Sequence, residues 1–453
     1  MTLTGLAFVL AFFGALALAF VRHPIYGLYA YVAVFYLHPP SRWWGAFLPD
    51  LRWSLLAAIV TLLCMLRLPA QPNRPPWYGN AAAKVLIAYT IWLWIQNVWA
   101  LNPEAHLAAS ILFSKYVMCF YLFYRLVDNP TDMRRVLWVH FAGCVYLGWL
   151  AFGSAGGGRL EGVGGPGIDE ANALGMQLDT GVLVGAMLLL TGNKWERIAT
   201  VLGMPLILNG IVLTGSRGAF LAILVAGLVL AVMKPQRHRK AFYALAALGL
   251  VLFGMLASTM FWERMNTITA AVDDTQQMDT SAESRFAIAA AQWQMTLRYP
   301  FGSGHRGTEV LSPQYIDTKY LTVASDTNGQ AGRSSHNTFM TALSEQGFIG
   351  AFMFLVLWWW CAKTSFSLRN YTHKLAEPRF AGDIAGVAAA LAGIFIAGIF
   401  VDYLKAEVQV WMTALLAAAA TMEARKSVAQ TKPAVSAAEP AAARALSTRV
   451  QQR

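Results

Sequence analysis

The sequence predicts an all-α protein that threads a membrane 12 or 13 times and carries one long polar loop late in the chain. Three observations predict this. Of 453 residues, 57% are hydrophobic and only 13% charged, against about 25% charged in a soluble domain. Too little charge remains to cover a water-facing surface. The apolar residues come in blocks, and a helix of about 20 residues crosses a bilayer with its backbone hydrogen-bonded internally. The 35 Lys and Arg outnumber the 24 Asp and Glu and gather in short loops, as they do on the cytoplasmic side of a membrane. The formal charge of +11 is therefore read as an orientation signal and not as a nucleic-acid surface.

The candidate spans are 3–21, 24–38, 51–68, 84–101, 111–127, 136–153, 172–191, 198–214, 218–233, 241–261, 337–361, 381–401 and 406–422. Residues 1–21 lack a basic n-region and a small-residue cleavage site, so they read as a retained helix and not as a signal peptide. Segment 24–38 is short and 406–422 opens with polar residues, so either can tilt or re-enter, which gives the range of 12 or 13. The basic loops 234–240 and 363–379 are expected in the cytoplasm. Counting crossings between them puts residues 262–335 outside, where eight acids face six bases. The same count puts loops 67–84 and 125–135 inside and 154–171 and 214–218 outside. The expected units are spans over 1–261, an outer loop over 262–335, spans over 336–423, and a disordered cytoplasmic tail over 424–453, rich in Ala, Pro, Ser and Gln. Cys64, Cys119, Cys144 and Cys361 show no C-x-x-C spacing, which argues against disulfides and against a thiolate metal site.

Three polar places fall on the outer side. The loop Gly156–Gly167 contains a formal G-x-G-x-x-G at Gly162, Gly164 and Gly167. A dinucleotide site would need a strand before it and a parallel sheet beneath it, and neither is expected between membrane helices. Arg159 is its candidate residue, a snorkelling arginine being the alternative. Arg217, in T-G-S-R-G-A-F, stands at the mouth of two apolar segments, where an arginine is costly and tends to be functional. A headgroup-binding arginine is the alternative there. Arg285 precedes apolar residues at helical spacing. His336 lies where water meets the first turn of a membrane helix, and an imidazole there is suited to accept a proton near neutral pH. A structural histidine is the alternative. His305 lies mid-loop in G-S-G-H-R-G, and its replacement is expected to be nearly silent. Asp402, Lys405 and Glu407 form a polar break between the last two spans, read as a helix-end turn with a salt bridge. There is no H-E-x-x-H, Cys/His cluster, Walker A or G-x-S-x-G motif, so no metal, cofactor or serine nucleophile is expected. Arginines bind phosphate through a planar fork. Several of them beside one histidine at membrane level suit transfer of a glycan from a lipid diphosphate.

The stretches T-G-S-R-G-A-F at Arg217, S-x-x-S-R-F at Arg285 and S-H-N-T-F-x-x-x-L-S-E-Q-G-F-I-G at His336 resemble the O-antigen ligase and O-antigen polymerase superfamily, bacterial membrane glycosyltransferases of the GT-C type. The N-terminal R-H-P-I-Y-G-L-Y-A-Y-V-A-V-F-Y-L-H-P-P resembles O-glycosylation ligases found with exosortase systems, a subgroup whose acceptor can differ. The resemblance implies an inner-membrane enzyme with a periplasmic site. Its donor would be an undecaprenyl-diphosphate-linked O-antigen. Its acceptor would be a sugar hydroxyl of lipid A–core. His336 would be the general base, Arg217 and Arg285 would hold the diphosphate, and Arg159 would be a further family arginine. The transfer would be inverting and metal-free. The competing readings are an O-antigen polymerase, a protein O-oligosaccharyltransferase, and a transporter of lipid-linked sugars. A transporter is expected to have paired halves and polar breaks at the midplane of several helices, and the polarity here gathers at one face instead.

Overall fold

A computed structural model describes residues 2–69, 74–154, 160–256, 280–323, 331–372 and 377–426. Helices α1 (Leu3–Val21), α2 (Ile25–Leu37), α3 (Trp53–Met65), α4 (Ala81–Gln96), α5 (Pro103–Leu126), α6 (Pro130–Gly153), α7 (Ala171–Thr191), α8 (Lys194–Thr214), α9 (Arg217–Met233) and α10 (Arg239–Leu256) come first. Then follow α11 (Thr280–Arg298), α12 (Gly307–Tyr315), the two-residue strands β1 (Thr322–Val323) and β2 (Ala331–Gly332), α13 (Thr338–Thr372) and α14 (Pro378–Ala397). A last helix, α15, covers 407–426. The strands pair antiparallel, Thr322 opposite Gly332, and are the only departure from helix among the described residues' regular elements. The described part of the stretch read from sequence as an outer loop, from residue 280, is thus largely helical. Arg159, the start of that stretch and the tail beyond 426 lie outside the described residues.

Every apolar block of the sequence carries a helix, but not every helix has spanning length. Among the described residues, seven are long and apolar enough to cross, or eight if the bent pair formed by α9 and α10 counts as one span. That is fewer than the 12 or 13 expected. The reason is length: α2 and α3 have 13 residues each and α4 has 16, below the roughly 20 of a full crossing. α9 and α10 meet at 115° and fold back, so that Phe220 stacks on Phe253 at 5.2 Å.

The helix ends gather at two faces. At one, Arg74 pairs with Asp128 at 3.1 Å and Arg425 reaches the same carboxylate at 2.6 Å. Arg134 pairs there with Glu196 at 3.0 Å and with the buried Asp383 at 2.7 Å. We call this the basic face. At the other, Arg42 donates to the carbonyl of Val163 at 2.7 Å, the amide of Leu101 donates to the Ser303 carbonyl at 2.9 Å, and that of Thr338 to the Gly398 carbonyl at 2.7 Å. α7 and α14 form the centre, with 83% of each span's window buried against 28% for α1. A helix that is apolar all round belongs inside. α14 is rich in Ala and Gly, and Gly386 lies so close to α7 that a Cβ there would come 3.3 Å from the Cα of Val184. Small residues let membrane helices approach in this way.

α13 is broken at Gly347, whose φ of 70° and ψ of −176° lie outside the helical region. This conformation is open almost only to glycine. The break frees three carbonyls, and each is satisfied from elsewhere. Ser344 O accepts from the amide of Ser303 at 3.1 Å and Glu345 O from that of Gly304 at 2.9 Å. Gln346 O accepts from the indole of Trp92 at 2.8 Å. Residues 338–346 are therefore a separate short helical piece, held by the 299–304 turn and by α4.

Candidate active site

The turn over 398–406, between α14 and α15, positions the sequence-predicted residues. Thr338 anchors the start of α13 to it: its hydroxyl donates to Val401 O at 2.7 Å and accepts from the Tyr403 amide at 2.7 Å. The start of α9 meets the same turn, because Gly218 lies so close that a Cβ there would come 2.6 Å from the Cβ of Phe400. Tyr403 also donates its hydroxyl to Ala173 O at the start of α7. Three helix N-termini thus open beside one turn. Helix N-termini carry partial positive charge and unsatisfied N–H groups, so they favour an anion.

Local sequence explains each position. In T-G-S-R, Gly215 ends α8 in a left-handed conformation and Ser216 caps α9, its hydroxyl accepting from the Ala219 amide at 3.2 Å. Arg217 is then the first residue of α9 and is half-buried. The Ser216 hydroxyl donates to Asn172 at 2.9 Å and Asn172 to Glu170 at 2.8 Å, which ties Arg217's turn to the end of the Gly-rich loop. In S-H-N-T, Asn337 caps α13 by accepting from the amides of Phe339 and Met340 at 2.9 and 3.0 Å. His336 immediately precedes this cap and is half-buried. Its neighbour Ser335 donates to Gln292 of α11 at 3.2 Å. Arg285 lies seven residues before Gln292, about 10.5 Å along the same face of α11.

The structure therefore brings His336 and Arg217 to one turn and hangs Arg285 from the helix that His336's segment touches. Arg159 lies outside the described residues. The rest of its Gly-rich loop has a purely conformational explanation. Gly162 and Gly167 have φ of 75° and 83°, and a Cβ on Gly164 would come 1.8 Å from Ile168 O. These are the glycines of the formal dinucleotide motif, and they let the loop fold on itself.

Behind the turn lies a group that sequence reasoning missed. His305, 6% exposed, has Nδ1 3.1 Å from a carboxylate oxygen of Glu345, itself 4% exposed, though off hydrogen-bond alignment. Its Nε2 is 2.8 Å from the ammonium of Lys405. Its amide donates to Nδ1 of His106 at 2.8 Å. A neutral ring protonated on Nδ1 fits both flanking charges. Nearby, Asp402 keeps an edge open to solvent, while the protein around it and the Glu345 carboxylate push its carboxyl up to about 6. The polar break is a helix-end turn as read, but Lys405 reaches His305 in place of an ion pair with its neighbours Asp402 and Glu407, and His305, though in a loop, is buried. The available signal was Glu345, an acid two turns into an apolar segment, where ionisable residues are expensive.

Residues 202–355 match the family model described as O-antigen ligase. The match spans about a third of the chain and supports its resemblance to the O-antigen ligase and O-antigen polymerase superfamily. Members of that superfamily are glycosyltransferase-like membrane enzymes, and this chain is a multi-pass membrane protein. No curated protein matches the chain. The matched stretch contains Arg217, Arg285, His305, His336 and Glu345, while the turn at 398–406 lies beyond it.

Proposed function

We propose that the protein is an O-antigen ligase, transferring a glycan from undecaprenyl diphosphate to a sugar hydroxyl of lipid A–core at the periplasmic face of the inner membrane. The observation that carries this reading is an apolar groove of about 440 Å³ between α9, α13 and α14. Val225, Val229 and Met233 line it towards the basic face, and Phe395 and Ile396 line it one turn from Gly398. Its Phe395–Ile396 end lies just before the 398–406 turn, which suits a polyprenyl chain whose diphosphate head is held beside Arg217 and His336. The basic face is the cytoplasmic one by the charge of its loops, and on this reading the helices α1–α10 and α13–α15 cross alternately, the short ones included.

In the reaction, the acceptor oxygen attacks the anomeric carbon from the side opposite the diphosphate. The bond from that carbon to the diphosphate oxygen breaks, and the configuration inverts. His336 takes the hydroxyl proton during attack. Arg217, Arg285 and Arg159, aided by the helix N-termini, offset the charge on the departing lipid diphosphate, so that no metal is needed. Reconstitution of the purified protein with lipid-linked O-antigen and, separately, lipid A–core, free glycan or a Ser/Thr peptide tests this. Product on lipid A–core is expected. Growth of the donor's own glycan would make the protein a polymerase, and product on the peptide a protein O-oligosaccharyltransferase.

A further inference from the structure

A second cavity, of about 380 Å³, lies on the other side of the 398–406 turn. Its volume is within the span of ligand pockets. Its walls come from the end of α2, the start of α3, the middle of α5 and Glu407 at the start of α15. Tyr116, one of its lining residues, donates its hydroxyl to the carbonyl of Lys405. The cavity and the Arg217–His336 site therefore share the turn as a common wall.

The mouth of this cavity is polar and much of its wall apolar. His38, Asp50 and Arg52 stand on the 38–52 loop side and Lys115 on the α5 wall, with Leu55, Ala58, Leu112 and Leu122 among the apolar lining. Arg52 and Lys115 are both exposed, and among the described residues neither side chain has an ion-pair or hydrogen-bond partner. Two such cations lining one cavity suit a phosphate. Two acids lie with them, and each has a tie within the protein. Asp50 accepts from the Arg52 amide at 3.2 Å and Glu407 from the Tyr31 hydroxyl at 2.6 Å, leaving oxygens that can accept from sugar hydroxyls.

Backbone strain marks the same place. His38 and Arg52 have φ of 36° and 46°, and of the three non-glycine residues with positive φ among those described, these two line this cavity. Such strain persists where the surroundings hold it and clusters at ligand sites. The rim also lies at headgroup depth. Trp43, Phe47 and Leu51, on the loop that forms it, expose large apolar side chains, as residues resting at a membrane interface do.

We propose that this cavity binds the acceptor, a lipid-anchored saccharide bearing a phosphate, with Arg52 and Lys115 on the phosphate and the lipid against the apolar floor. The assignment of this ligand as acceptor rests on the transferase reading above; the binding site itself does not. A plain phospholipid shares the phosphate and the lipid, but its headgroup offers few or no hydroxyls for the two acids to engage.

The test uses the full-length protein in nanodiscs and purified lipid A–core as probe. Arg52→Ala/Lys115→Ala is expected to weaken probe binding and raise the acceptor KM by roughly tenfold or more, with donor binding unchanged. Dephosphorylated lipid A–core should bind the wild type as weakly as the intact probe binds the variant, and the variant should not tell the two probes apart. Equal binding of intact probe by wild type and variant would overturn the proposal. So would equal competition by phosphatidylglycerol, which would make this a phospholipid site. Failure of the wild type to transfer glycan, with phosphate-dependent binding intact, would remove the transferase reading and leave the binding site standing.

Discussion

Replacing His305 by alanine removes two contacts with charged groups at once. The one to Lys405, at 2.8 Å, involves an ammonium that reaches solvent, and screened contacts of this kind are worth about 0–1 kcal/mol. The one to Glu345, at 3.1 Å, involves a carboxylate that is 4% exposed. Removing the polar neighbour of a buried carboxylate costs about 1–3 kcal/mol. The Glu345 side therefore dominates, and we expect a loss of about 1–3 kcal/mol, seen as a lowered thermal midpoint in detergent. Transfer should fall with it, because Glu345 sits on the short helical piece that follows His336. Glu345→Gln removes the buried charge, so His305→Ala should cost less in that background. A coupling of about 0.5 kcal/mol or more distinguishes this bridge from a loop histidine. A His305→Ala protein with wild-type midpoint and transfer, or strictly additive double substitution, would refute the reasoning.

Arg217→Ala and Arg285→Ala should each nearly abolish transfer by protein that still inserts, and the Lys variants should also be poor because an ammonium lacks the bidentate fork; wild-type rates in both Lys variants would end the diphosphate role. His336→Ala should lower turnover by about 10²–10⁴ with donor binding unchanged, and excess EDTA should leave the wild-type rate as it is. Gly347→Ala should cost about 3 kcal/mol or more, since its backbone conformation is strained for any Cβ and that atom would come 2.4 Å from the Phe301 carbonyl carbon. Gly249→Ala, with nothing within 4 Å of its Cβ, serves as the matched control, and folded yield with thermal midpoint is the readout.

Hydropathy made the helices legible because burial in lipid selects on composition, residue after residue. α1 and α7 appear in the sequence almost to the residue, as runs over 3–21 and 172–191. Arg217 and His336 were legible for a related reason: each interrupts an apolar run at its mouth, and capping residues, Ser216 and Asn337, stand beside them. The break in α13 was not legible. One glycine among 37 decides it, and only the distant partners Trp92 and Ser303 explain why it is tolerated. The bridge through His305 was hidden for the same reason, since Glu345 and Lys405 are 60 residues apart in the chain and meet only through the turn. Arg42, buried and tied to Val163, reads from sequence as one more loop arginine.

The broken helix also sets an order of assembly. The carbonyls freed at Gly347 are met by Trp92 and by the 299–304 turn, all of which leave the ribosome before residue 347 does. The short piece after His336 can therefore settle as soon as it emerges, with its sockets already made. Only the 398–406 turn, which grips Thr338, arrives afterwards. The nascent chain thus completes the receptor for the segment after His336 first, and the clasp that locks that segment is synthesised later.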